Sequence, residues 1–88
     1  MAAKDDLLNA VERGDTDAAA TALDAGASPD AADRYGVTAL VRAAGRDDQA
    51  MVDLLLDRGA RVDKSTAQDN TALMLAAARG HREMVARL

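Results

Sequence analysis

Residues 36–48 read GVTALVRAAGRDD, and residues 69–81 read DNTALMLAAARGH, nearly the same phrase 33 positions later. The register holds well beyond these two stretches. Gly26-Ala27 returns as Gly59-Ala60, Asp30 as Asp63, Thr38-Ala39-Leu40 as Thr71-Ala72-Leu73, Ala43-Ala44 as Ala76-Ala77, and Met51-Val52 as Met84-Val85. Backwards, Leu40 maps to Leu7, Ala43 to Ala10, and Leu55-Leu56 to Ala22-Leu23. A fixed period of this length marks a stacked repeat, in which each copy is one supersecondary unit.

Each unit reads as two short helices. A hydroxyl at Thr38 or Thr71 can accept a hydrogen bond from an unpaired amide of the first turn, and Asp5 holds that slot in the first unit. Leu40, Ala43 and Ala44 then share a narrow apolar face, as do Leu73, Ala76 and Ala77, and the alanines let the next helix approach closely. Met51, Val52, Leu55 and Leu56 form a wider stripe on the second helix, which stops before Gly59, a left-handed cap matched by Gly26. Residues 27–36 and 60–70 carry Pro29, aspartates and small residues, so they read as extended turns.

The layout resembles the ankyrin repeat. The family's Asp, two variable residues, Gly, one variable residue and Thr is met by Asp33, Arg34-Tyr35, Gly36, Val37 and Thr38. Its closing Leu-Leu, two residues, Gly-Ala is met by Leu55-Leu56, Asp57-Arg58 and Gly59-Ala60. The resemblance implies an all-α solenoid of stacked helix-turn-helix units joined by β-turn loops. It divides residues 1–88 into an N-terminal capping repeat (1–30), a full repeat (31–63) and a C-terminal repeat cut short (64–88). The family's Thr-Pro-Leu-His becomes Thr38-Ala39-Leu40-Val41 and Thr71-Ala72-Leu73-Met74. The lost histidine implies looser inter-repeat loops, with Val41 and Met74 adding apolar packing. Thr66 and Asp69 replace Asp33 and Gly36 in the third unit and should bend that turn differently.

Composition bounds what such a stack can do. The chain has 88 residues, 49% hydrophobic, with Tyr35 its one aromatic, so its core must be small contacts between close helices. It has no cysteine and a formal charge of −4, which opposes nonspecific attraction to nucleic acid or anionic membrane. No apolar run reaches transmembrane length and no secretory signal opens the chain, so the cytoplasm is the default location. His81, the one histidine, falls at a helix start, and Asp5-Asp6 and Asp47-Asp48 lie where negative charge meets a positive helix end. These positions suggest no catalytic residue, no metal ligand set and no cofactor.

Recognition is the remaining reading. Arg13, Arg46 and Arg79 occupy one repeat position at the ends of first helices, so stacking lines them into a ladder. Arginine there also satisfies helix-terminal carbonyls, at about 0.3–1 kcal/mol each, with no partner involved. The family resemblance places that position beside the concave groove that contacts partners. Arg42 widens the patch, and Arg34 and Tyr35 extend it at the turn tip. Val37, Gln68 and Asn70 complete the variable positions offered to a partner. Arginine forks suit carboxylates, so the expected partner is a protein with an acidic segment. An alternative reading is structural: the chain is a self-assembling scaffold or a fragment of a longer repeat protein. In it Met84, Val85 and Leu88 form an uncovered apolar face for self-association.

Overall fold

The computed structural model describes residues 3–62 and 72–88, without the side chains of Leu73 and Arg87. Six helices run in order: α1 (Ala3–Arg13), α2 (Thr16–Asp24), α3 (Ala39–Gly45), α4 (Gln49–Asp57), α5 (Ala72–Ala78) and α6 (Arg82–Arg87). They pair as α1 with α2, α3 with α4 and α5 with α6. The first helices stack α1 on α3 on α5, and α2 packs on α4. The repeat therefore becomes a layered helical stack, with 33 residues per layer where the layers can be compared.

Local chemistry sets the helix limits. Thr38 caps α3, its Oγ1 accepting from the Val41 amide at 3.1 Å, and it is itself buried. Asp15 and Asp48 cap α2 and α4 by accepting from the Ala18 and Met51 amides. Asp5 takes no such role. Helix α1 extends back to Ala3 and leaves Asp5 inside the first turn, favourable there to the helix dipole. Thr71, Thr66 and Asp69 lie outside the described residues.

The turn between paired helices recurs in all three layers. Gly14, Asp47 and Gly80 occupy it at φ 69°, 57° and 74°. The next residue in each case donates its amide back across the turn, Asp15 to Ala10, Asp48 to Ala43 and His81 to Ala76. A left-handed residue with a Cβ is strained, and aspartate tolerates the strain better than most. Asp47→Gly is therefore expected to raise the unfolding free energy by about 0.5–1 kcal/mol. Urea unfolding reads this directly, and an unchanged or lower midpoint contradicts it.

The core is built from the apolar stripes. Leu7, Leu40, Met51, Leu55, Met84, Val11 and Val52 are its largest fully buried side chains, with Ala10, Ala19, Ala43, Ala44 and Ala76 between them. Several sequence expectations need correction. Met84 is wholly buried, because it repeats the inward position of Met51, so it cannot carry self-association. Val85 and Leu88 are only half-buried. Ala77 is exposed where Ala44 is buried, and Met74 is 54% exposed where Val41 is buried, both at the end of the described stack. The loops are also tied without the family histidine: the Asp30 carboxylate accepts from the Arg61 amide at 2.7 Å.

Candidate partner-binding surface

The turn ahead of α3 is held by a connected set of hydrogen bonds. Ala32 and Thr38 face each other as an antiparallel bridge, and the Asp33 amide donates to the Val37 carbonyl across the turn. Inside it, Asp33 Oδ1 accepts from the Tyr35 amide at 2.8 Å and the Val37 amide at 3.1 Å. Asp33 Oδ2 accepts from Arg42 Nη2 at 3.0 Å. Partial burial pushes the Asp33 carboxyl up, but bonds from the Val37 and Tyr35 amides and the Arg42 guanidinium outweigh it. The carboxyl ends below its ordinary value.

That direction fixes a pH dependence. The folded state holds the ionised form more tightly than the unfolded chain, so Asp33 contributes fully above the unfolded carboxylate pKa of about 4. Its contribution is lost as pH falls through the lower folded value. Stability followed by circular dichroism should drop on acidification below about pH 4, and Asp33→Asn should flatten that slope. An equal slope in the variant contradicts the assignment.

At the tip, Tyr35 is 57% exposed, and the Arg34 guanidinium lies over its ring at 5.1 Å, within cation–π range. Val37 is half-buried at the base of the turn. Arg42 reaches from α3 to α1, where Nη1 meets Glu12 Oε1 at 2.8 Å, so this side chain links two layers and the turn. Leu8, Asn9, Glu12, Arg13, Asp33 and Arg42 line a shallow groove below the tip.

The arginine ladder is divided by the structure. Arg13 and Arg46 close α1 and α3 and make no ion pair among the described residues. Arg79 instead donates through Nη1 to the Gly45 carbonyl at 2.9 Å, joining the third layer to the second. His81 does the same beside it. It stands at the N-cap position of α6 but makes no capping bond there; its Nδ1 lies 3.1 Å from the Ala44 carbonyl. Gln68 and Asn70 lie outside the described residues.

Sequence reading missed one further feature. The second helices α2 and α4 carry only acidic charges, Asp17, Asp24, Asp53 and Asp57, while Arg13 and Arg46 close first helices and only the second helix α6 carries a cation, Arg82 with Arg87. Tabulating charge by helix rather than by repeat position would have shown it.

Residues 7–88 match the ankyrin repeats, in three copies. The chain belongs to the ankyrin-repeat family. Compared with curated proteins, it matches none. Ankyrin repeats are generally protein–protein interaction modules and typically non-catalytic. Among the described residues of this ankyrin stack, no helix is long and apolar enough to cross a membrane. No group of three or more metal-ligating side chains is found among them either.

Proposed function

We propose that this ankyrin stack is a non-catalytic module that binds a protein partner across its turn tip and first-helix side. The observation that supports it most is the Arg34–Tyr35 pair, exposed on a turn that Asp33 holds rigid. Tyrosine and arginine dominate binding hot spots, and a tip already ordered loses little entropy on binding. Arg46 and Arg13 extend the surface along the stack, with Val37 at its edge. Arg42 and Arg79 contribute mainly by holding turn and layers in place, since both have intramolecular partners. Gln68 and Asn70 belong to the same surface by repeat register.

The unpaired guanidiniums favour a partner with an acidic segment, and the acidic second helices repel it from the opposite side. Within this reading residues 1–30 act as the capping repeat, and the setting is cytoplasmic. The test is affinity capture from lysate of the source organism with the native chain and an Arg34→Ala/Tyr35→Ala/Arg46→Ala variant. A protein retained by the native chain and lost by a variant of unchanged helicity is the expected result. Equal capture by both places the contact elsewhere.

A further inference from the structure

The first two layers meet through charge at a point where the next two meet without it. Glu12 and Gly45 share one repeat position, as do Arg42 and Leu75. Arg42 Nη1 meets Glu12 Oε1 at 2.8 Å, whereas a Cβ added at Gly45 would lie 2.7 Å from Leu75 Cδ2. Leucine thus fills, one layer on, the place that the guanidinium takes here, so stacking does not require the ion pair. The pair is also open to solvent. The Glu12 side chain is 52% exposed and that of Arg42 36%, and ion pairs this exposed exchange partners at little cost.

The groove around the pair gives the exchange a direction. Arg13 and Arg42 line it with Glu12 and Asp33, two cations against two anions. Asp33 is committed: Oδ1 accepts from two turn amides and Oδ2 from Arg42 Nη2. Glu12 has one contact, on Nη1, and stands in the exposed last turn of α1. Arg13 beside it makes no ion pair among the described residues. A carboxylate arriving from outside is therefore balanced only when Glu12 swings out into water.

We propose that Glu12 stands in for an acidic side chain of the partner, which displaces it from Arg42 Nη1 and lies between Arg42 and Arg13 while Nη2 stays on Asp33. The inference rests on the turn-tip reading above and deepens it, because the surface then carries its own competitor. Glu12 lowers affinity for every carboxylate at this point and selects partners acidic enough to replace it.

A blocked hexaglutamate peptide, titrated calorimetrically at low ionic strength, is the probe. Glu12→Gln should bind it about two- to fivefold more tightly than the native chain, the gain expected from removing an exposed competing pair. Glu12→Ala, close in size to Gly45 at the equivalent position, should show the same gain with unchanged helicity, so a folding defect in one variant does not decide the result. Asp57→Asn, which removes one negative charge from α4, should leave affinity as it was. On an Arg42→Gln background the gain from Glu12→Gln should vanish. Equal or weaker binding by both folded Glu12 variants overturns the proposal, and so does a gain that persists without Arg42. A peptide that binds neither the native chain nor the Glu12 variants also overturns it. The turn-tip reading is tested separately, by capture with the Arg34, Tyr35 and Arg46 substitutions, which leave Glu12, Arg13 and Arg42 in place.

Discussion

Leu55→Ala is expected to lower the unfolding free energy by about 2–5 kcal/mol, while Leu56→Ala, one residue away, should cost about 1 kcal/mol or less. The two leucines are chemically identical and share one helix, so the contrast isolates position. Leu55 is fully buried between α4 and the first helices, whereas Leu56 is half-buried at the margin of the core. A chain of this length holds on the order of 5–10 kcal/mol in total. Alanine-rich packing around Leu55 leaves few flexible side chains to fill the cavity, which favours the upper part of the range. Denaturant unfolding of the pair gives the answer, and equal losses would show that the stripe is not oriented as described.

Asp33→Ala carries the second large effect, and it reaches beyond stability. The carboxylate receives the Tyr35 and Val37 amides and the Arg42 guanidinium, and it lies partly out of solvent. Losing it should cost about 1.5–3 kcal/mol and leave the turn free to change shape. Partner affinity should fall with it, although Asp33 itself is not placed in the contact, because Tyr35 is no longer presented in one conformation. Asp33→Asn separates the two contributions. Its amide oxygen can still accept from the Tyr35 and Val37 amides, so tip geometry and affinity should survive better than stability. An Asp33→Ala variant that binds as tightly as the native chain would mean that the turn's order does not matter to recognition.

Much of the architecture was legible because stacked repeats write their period into the sequence. Thr38 at a cap, Leu40 and Ala43-Ala44 inward, and Gly26 and Gly59 at helix ends followed from spacing alone. The misjudged positions have two causes. Exposure of Ala77 and Met74 depends on which layer covers which, and identical motifs in adjacent units do not say so, whereas burial of Met84 follows from the register it shares with Met51. The fate of Arg42 and Arg79 was hidden for a related reason. Glu12 and the Gly45 carbonyl lie in another layer from Arg42 and Arg79, and the turn must fold before Asp33 meets Arg42, so only the folded stack brings them together. His81 likewise stood at the expected position, but its ring serves the neighbouring layer rather than its own helix.

The central claim is that recognition uses the turn tip and first-helix side rather than the acidic second helices. Hydrogen exchange of the chain with its captured partner tests it most directly. Slowed exchange confined to the turn at 33–38, the end of α3 at 42–46 and the end of α1 near Arg13 is the predicted footprint. Protection centred on Asp17, Asp24, Asp53 and Asp57, with the tip exchanging as freely as before, would contradict it.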